Sequence, residues 1–376
     1  MTLSCQYVYD ALAGRGISFY AGVPDSLLKS FCAYVTDHTD PSRNIIAANE
    51  GSAVALAVGH YLATGEIGLV YLQNSGLGNT VNPLTSLADP EVYGVPVLLL
   101  VGWRGEPGKK DEPQHVKMGR VTAASLDAIG VQNAVLPDTE AEAAAAIDAA
   151  VESMRSRCAP FALVVRKGAF AGYQLQSERK PRYDMSREQA LALVLDSLPA
   201  GAAVVSTTGM PSREVFELRE QRGESHDADF LTVGSMGHSS QIALGVALAR
   251  LDRPVFCLDG DGAVLMHMGG LAIIGSHGPK NLKHVVVNNA AHDSVGGQPT
   301  VGHDIDLCAI ARACGYTAAL LAESPDQLRS KLGELCAADG PALLEVRIKK
   351  GARPDLGRPT RTPSHTKDRF MEFLRK

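Results

Sequence analysis

The sequence has few of the features that mark secreted, zinc-binding or disulfide-rich proteins. Its seven cysteines are an odd number, and no two of them form a C-x-x-C pair. Such scattered cysteines indicate reduced thiols in a cytoplasm, and they argue against a disulfide framework or a zinc site. Cys257, which lies in an apolar run, is therefore interpreted as a small core residue.

Long apolar runs and an excess of positive charge are also missing. No run approaches the roughly 20 apolar residues that a membrane-spanning helix needs. The first residues, MTLSCQ, contain no basic segment before an apolar core, so we expect no signal peptide. The formal net charge is −5, which does not favour a nucleic acid partner. We expect a cytoplasmic protein that binds neither membranes nor nucleic acid.

What the chain does contain is an alternating pattern of strands and helices. It has 376 residues, of which 45% are hydrophobic and 20% charged, enough for two globular domains. Short β-rich runs alternate with helical patterns, which predicts α/β domains with parallel sheets flanked by helices. A polar and basic stretch separates the two halves. We predict domains over residues 1–170 and 185–350, a linker over 171–184 and a tail over 351–376.

Two short motifs follow β-rich runs in the second half. They are Gly-Asp-Gly at 260–262 and Asn-Asn at 288–289. Open α/β sheets bind ligands where their strands end, and Asp261 and Asn289 would supply there the oxygen ligands that Mg²⁺ prefers. The glycines let the backbone approach a phosphate, toward which the following helix points its positive end. Gly-Asp-Gly alone is also a common turn, so this interpretation depends on the pair.

With residues 263–287 between them, the two motifs resemble the diphosphate–metal motif of thiamine diphosphate (ThDP) enzymes. The resemblance implies ThDP and Mg²⁺ as cofactors, with Asp261, Asn289 and the carbonyl of Ala291 as metal ligands. It also covers Glu50, which matches the glutamate that hydrogen-bonds the aminopyrimidine ring of the cofactor. An apolar site would raise the pKa of such an acid and keep its proton shared. By its sequence alone, Glu50 could simply be an acidic residue in the first turn of a helix.

The resemblance implies two ThDP-binding-fold domains, a pyrimidine-binding (PYR-like) domain followed by a diphosphate-binding (PP-like) domain, without the middle domain of many relatives. In the family, the PYR domain of one subunit meets the PP domain of another. This implies a homodimer or larger homo-oligomer with its active site at the subunit interface. The positions that match cofactor-binding segments of the family are Glu50, Gly209, Met210, Gly234, Met236, Gly260, Asp261, Gly262, Ala263 and Asn289.

Three further segments, at 22–26, 102–115 and 292–300, resemble those of the phosphonopyruvate decarboxylases among these enzymes. The resemblance implies a small anionic 2-oxo acid as substrate. The reaction would convert 3-phosphonopyruvate to phosphonoacetaldehyde and CO₂ through a ThDP ylide and enamine, within phosphonate biosynthesis.

The same segments supply candidates for proton transfer and for anion binding. A proton must be delivered after CO₂ leaves, and the candidates are Asp25, His115 and His292. Asp25 could instead be a helix cap and His115 a polar residue of a loop. A phosphonate favours Arg or Lys, and a Gly/Pro-rich loop carries Arg104, Lys109 and Lys110, although both lysines could simply be solvated. Further substrate candidates are Ser26, Asp293 and Ser294, while Arg353 and Arg358 of the tail could bind an anion or lie on the surface.

Three other functions fit parts of this pattern. One is a sulfopyruvate decarboxylase, or another ThDP-dependent decarboxylase or carboligase. A second is a non-catalytic protein that binds ThDP or a magnesium–phosphate group, but mere binding would not require the acid Glu50. A dinucleotide-binding oxidoreductase is disfavoured, because neither the glycines at 76 and 78 nor those at 260 and 262 complete a G-x-G-x-x-G sequence.

Overall fold

The computed structural model describes residues 2–176 and 182–376, which form two compact units. The first unit comprises Met1–Glu178 with Val295–Gln298, and the second comprises Arg179–Ser294 with Pro299–Lys376. Part of the predicted linker, residues 177–181, lies outside the described residues. The domain boundaries stated above remain predictions.

The first unit is a sheet of six parallel strands. Its strands are β1 (Phe19–Gly22), β2 (Asn44–Ile46), β3 (Gly68–Gln73), β4 (Val97–Gly102), β5 (Gln132–Val135) and β6 (Phe161–Val165). Its helices are α1 (Cys5–Ala13), α2 (Lys29–His38), α3 (Glu50–Thr64), α4 (Leu77–Pro83), α5 (Pro113–Ala128) and α6 (Glu140–Arg157). The strand order is β2-β1-β3-β4-β6-β5. Two separate apolar clusters pack on the sheet, so strands such as β4 are buried at every position, as expected of a sheet covered on both faces.

The second unit is also a six-stranded parallel sheet. Its strands are β7 (Ala203–Ser206), β8 (Asp229–Leu231), β9 (Val255–Gly260), β10 (Leu282–Asn288), β11 (Ala318–Ala322) and β12 (Ala342–Arg347). Its helices are α7 (Arg187–Asp196), α8 (Met210–Arg222), α9 (Ser239–Ala249), α10 (Asp261–Met266), α11 (Gly269–His277), α12 (Leu307–Ala313), α13 (Pro325–Ala337) and α14 (Pro363–Arg375). The strand order is β8-β7-β9-β10-β12-β11. Numbered within its own unit, each sheet therefore has the order 2-1-3-4-6-5.

The register of the second sheet brings the two sequence motifs to one edge. β9 and β10 are parallel neighbours, and Val287 lies opposite Gly260. The chain therefore leaves both strands at nearly the same level, with Asp261 after one and Asn289 after the other. This is the edge at which open α/β sheets bind ligands.

The tail predicted over 351–376 contains a helix that the sequence analysis did not identify. α14 carries a buried aromatic residue, Phe370, which contacts Phe230 of β8, and its Arg369 pairs with Asp227. One apolar face on an otherwise polar helix explains why the stretch looks like a basic tail. Nowhere in the described ranges does a helix have the length and apolar character to cross a membrane.

Candidate active site

Asp261 and Asn289 meet at the end of β9 and β10. Asp261 is the first residue of α10 and is buried, and the backbone N–H of Asn289 donates to its carboxylate. The hydroxyl of Thr300 donates to Asp261 Oδ2. Burial raises the pKa of Asp261 to about 6, while the Thr300 and Asn289 hydrogen bonds act in the opposite direction. A backbone hydrogen bond thus joins the two motifs directly.

The charges around Asp261 fit a divalent cation. The charged group that affects it is a second carboxylate, Asp293, which raises the pKa of Asp261 further. The side-chain amide of Asn289 donates to Asp293 Oδ2 at 2.7 Å, and its oxygen accepts from the N–H of Ala291 at 3.0 Å. Buried carboxylate and amide oxygens form a donor set that suits Mg²⁺. The residues predicted as metal ligands are therefore chemically suited to the ion.

Two predicted cofactor residues, Gly262 and Met236, also lie close to the predicted proton-transfer residue His292 in the second unit. A Cβ added to Gly262 would lie 2.9 Å from His292 Cε1 and 3.3 Å from the methyl carbon of Met236. A larger residue at position 262 would therefore require the His292 side chain to shift. Burial lowers the pKa of His292 to about 4, so its imidazole is neutral at pH 7.

The remaining cofactor candidates of the second unit lie on turns at strand and helix ends. Gly209 precedes α8 with a φ of 92°, a backbone conformation that favours glycine. A Cβ there would lie 3.7 Å from Ser294 Oγ, so Ser294 adjoins this turn. Met210 is the first residue of α8, and Gly234 lies in the loop after β8. Gly260 ends β9, and Ala263 lies in the first turn of α10.

In the first unit, Glu50 is buried at the start of α3. Its Oε2 accepts from the Asn79 amide at 2.7 Å, and a Cβ on Gly76 would lie 2.2 Å from its Oε1. Burial raises the pKa of Glu50, and the Asn79 hydrogen bond partly offsets this. Glu50 is indeed in the first turn of a helix, yet its carboxyl is not solvated as a simple helix-end acid would be. The sequence analysis missed Asn79, which no motif marks.

Asp25 is fully buried in the loop after β1. Its Oδ2 accepts from the N–H of Leu27 at 2.8 Å, so it does cap a turn, as the simpler interpretation suggested. Its Oδ1 has no hydrogen-bond partner among the described residues. Burial raises the pKa of Asp25 to about 6, against the opposing effects of its backbone hydrogen bonds and of Arg104.

Arg104 joins two of the predicted substrate segments. Its Nε and Nη2 donate to the two oxygens of Asp111 at 2.8 and 2.5 Å, and its Nη1 donates to Ser26 Oγ at 2.9 Å. The Arg104 pair holds the pKa of Asp111 well below its usual range. Lys109 and Lys110 are exposed on the same loop, whereas His115 is buried in α5. Asp111 lies within the segment at 102–115, but the sequence alone did not predict its pairing with Arg104.

Two sequence interpretations gain no support from these contacts. The guanidinium of Arg353 is surrounded by carboxylates, with Glu188 Oε1 at 3.1 Å, Asp355 Oδ1 at 3.1 Å and a contact to Glu217. Its positive charge is therefore outnumbered by three carboxylates, which disfavours the predicted anion clamp. Asp293, predicted to contact substrate, is an anion already bound by Arg187.

Cys257 is buried, as predicted, and burial raises the pKa of its thiol far above the ordinary value.

The chain is similar in sequence to known enzymes over both units. Thiamine pyrophosphate (TPP) is another name for ThDP. The N-terminal TPP binding domain of thiamine pyrophosphate enzymes matches residues 4–129, and the C-terminal TPP binding domain matches residues 207–346. The chain is 41% identical to the phosphonopyruvate decarboxylase of Streptomyces viridochromogenes, over 96% of this chain and 93% of that protein. The chain belongs to the ThDP-dependent decarboxylases.

Two further ThDP-dependent decarboxylases cover nearly all of this chain. The phosphonopyruvate decarboxylase of Streptomyces hygroscopicus is 39% identical over 99% of this chain and 94% of that protein. The sulfopyruvate decarboxylase of Methanosarcina acetivorans is 27% identical over 98% of this chain and 96% of that protein. The predicted fold class, the family and the cofactor ThDP are confirmed. The magnesium ion and the roles of individual residues stay predictions.

Proposed function

We propose that this chain decarboxylates 3-phosphonopyruvate to phosphonoacetaldehyde and CO₂ in phosphonate biosynthesis. The observation that carries the proposal is its near-full-length similarity to two phosphonopyruvate decarboxylases, at 41% and 39% identity. The sulfopyruvate decarboxylase is more distant, at 27% identity. The buried acids and the oxygen-rich strand ends described above suit this chemistry.

ThDP supplies the electron sink for the departing CO₂ when it is bound. Glu50 provides the acid that hydrogen-bonds its aminopyrimidine ring. Loss of hydration favours the protonated carboxyl, which can share a proton with a ring nitrogen. Asn79 donates to one carboxyl oxygen and would hold the Glu50 side chain in place for that hydrogen bond.

The second unit binds the metal and the diphosphate in this proposal. Asp261, Asn289 and the carbonyl of Ala291 would hold Mg²⁺, and the backbone at 260–263 would hold the diphosphate. The start of α10 offers its N–H groups and its partial positive charge to that anion. The side chain of Met236 and the backbone of Gly234 support the cofactor rings, with Gly209 and Met210 on a neighbouring turn.

Substrate handling is assigned to the remaining candidates. The proposal assigns proton transfer to Asp25, His115 and His292. Burial raises the pKa of Asp25 to about 6, which makes it a stronger base than an ordinary aspartate. Arg104 and Ser26, with Lys109 and Lys110 nearby on the loop, are the contacts proposed for the phosphonate. Ser294 remains in this set. Asp293 does not, because its negative charge would repel the substrate.

The proposed active unit is a homodimer or a larger homo-oligomer. In the family resemblance, one copy supplies the PYR-like domain and another the PP-like domain. The proposal therefore assigns Glu50 and Asp261 of one active site to different copies of the chain.

The direct test measures CO₂ and aldehyde release from phosphonopyruvate, sulfopyruvate and pyruvate in parallel, with ThDP and Mg²⁺ present. A site built for a doubly charged phosphonate should prefer it in kcat/KM by on the order of 10²-fold or more, since unmatched charged and polar groups are heavily penalised. Faster turnover of sulfopyruvate would replace the substrate assignment. Bound ThDP without turnover of any 2-oxo acid would instead indicate a binding protein.

A further inference from the structure

A buried arginine from outside both motifs reaches the predicted metal-binding turn. Arg187 is the first residue of α7 and is 4% exposed. Its Nη1 donates to Asp293 Oδ2 at 3.0 Å, while its Nε and Nη2 donate to the two oxygens of Glu214 at 2.8 and 3.1 Å. One guanidinium thus binds two carboxylates, buried Glu214 from α8 and half-buried Asp293 from the turn after β10.

Asp293 in turn determines how the side chain of Asn289 is oriented. Its Oδ2 accepts from the Asn289 amide at 2.7 Å and from the N–H of Gly351 at 3.0 Å. An ionised carboxylate can only accept hydrogen bonds, so the NH₂ group of Asn289 must face it. The amide oxygen then faces the other way, where it accepts from the N–H of Ala291. The orientation of this oxygen therefore depends on where Asp293 is held.

We propose that Arg187 is a positioning residue for the metal ligand Asn289 and acts through Asp293. The inference rests on the metal role proposed above for Asn289. Without the guanidinium, buried Glu214 and half-buried Asp293 would be neighbouring carboxylates that have lost their shared cation, which is a costly arrangement. Asp293 would move away from this cluster and release the amide. Groups that orient a metal ligand typically change metal affinity by about 10- to 100-fold when they are removed.

The test measures binding of Mn²⁺, as a probe for Mg²⁺, to the full-length protein with saturating ThDP, using the electron paramagnetic resonance signal of the free ion. Arg187→Met should weaken Mn²⁺ binding by about 10- to 100-fold. Arg187→Lys keeps a positive charge but cannot hydrogen-bond both carboxylates in the same way. It should bind Mn²⁺ more tightly than Arg187→Met but less tightly than the native chain.

A matched control exists in the same unit. Arg219 donates from Nε and Nη2 to buried Asp229 at 3.0 and 2.9 Å, and this pair joins α8 to β8 away from the metal turn. Arg219→Met therefore also breaks a buried ion pair. It should lower thermal stability yet leave Mn²⁺ affinity within about twofold, as expected for a distant site.

Two further sets of variants make the outcome decisive. If Arg187→Met does not fold, Arg187→Met/Glu214→Gln removes one positive and one negative group together and leaves the net charge of the cluster unchanged. Native-like Mn²⁺ affinity in a folded variant of either kind overturns the positioning role. Asp261→Ala and Asn289→Ala test the metal site itself: if they bind Mn²⁺ as the native chain does, the proposed site is wrong whatever the Arg187 variants show.

Discussion

Three acids of the candidate site, Glu50, Asp25 and Asp261, are buried where ordinary acids would be solvated. Burial is the largest influence on each, and it raises the pKa of all three. An ionised carboxylate loses its hydration in such a place, so the chain maintains these groups at a cost in stability. Acids kept at such a cost are typical of functional sites.

Replacing Glu50 with glutamine tests the central acid. Glutamine keeps the shape and can still accept from Asn79, but it cannot share a proton with the cofactor. Decarboxylation should fall by at least about 10²-fold, the usual contribution of a proton-transferring group. ThDP affinity, measured by titration calorimetry, should change by about tenfold or less, the effect of one or two hydrogen bonds. The exposed Glu66 supplies the control Glu66→Gln, and near-normal turnover in Glu50→Gln would remove the assignment.

Asp25 allows a prediction about stability and pH. Its pKa is about 6 in the folded chain and 3.8 for an ordinary aspartate, so the folded state disfavours the charged form. The resulting destabilisation is absent below pH 3.8 and complete above about pH 6. Asp25→Asn should therefore stabilise the protein at pH 7 by on the order of 1–3 kcal/mol, and the gain should vanish near pH 4. Denaturant titrations at both pH values measure this, and a gain that does not depend on pH would contradict it.

At the scale of single residues, the sequence predicted the candidate acids and amide of the site but not the side chains that hydrogen-bond them. Asp261, Asn289 and Glu50 were found because motif spacing and apolar flanks mark them. Thr300 and Asn79, which hydrogen-bond two of these acids, follow no spacing rule. Their contacts arise only when the folded chain brings distant segments together.

The strands and helices position the candidate site residues at their ends and by close packing against them. The turn Asn74–Gly76 follows β3, and Gly76 lies directly against the Glu50 carboxyl. Sequence reasoning considered the glycines at 76 and 78 only as part of an incomplete dinucleotide motif. Gly76 has no room for a side chain because it packs against Glu50, whereas Gly78 has open space around it.

The pair Gly76→Ala and Gly78→Ala tests this contact. The added methyl group at 76 would lie 2.2 Å from Glu50 Oε1, whereas nothing lies within 4 Å at 78. Gly76→Ala should displace the acid and lower kcat by about 10²-fold, since a shift of about 1 Å can have this effect. Gly78→Ala should keep full activity and gain up to about 1 kcal/mol of stability, because alanine favours α4. Equal kinetics in the two variants would show that the Glu50 contact is not required.

The sequence predicted most strands and helices but not their arrangement. Apolar runs mark β4, β9 and β10 because both faces of each sheet are covered. Strand order depends on which distant runs pair, and no local pattern carries that information. α14 was missed for a related reason, since its apolar face is narrow and its partner, β8, lies more than a hundred residues earlier in the chain.

The whole chain repeats one topology, because both units have the strand order 2-1-3-4-6-5. The two sheets nevertheless present different chemistry at their strand ends. The first unit carries the acid Glu50 and the cation Arg104, and the second carries the oxygen ligands Asp261 and Asn289. Neither set alone provides both the acid and the metal site that the proposed reaction needs. The proposed reaction therefore needs both units, and the homo-oligomer proposed above takes them from different copies of the chain.

Complementation between two inactive variants tests this sharing. Glu50→Gln damages only the first unit and Asp261→Ala only the second, so each variant alone should be inactive. In a mixed dimer with shared sites, one site carries both defects and the other carries neither. Co-expression with two different tags should therefore restore about a quarter of native activity in a random mixture, and about half in purified mixed dimers. Mixed dimers that bind ThDP but remain inactive would show that each site is built from a single copy of the chain.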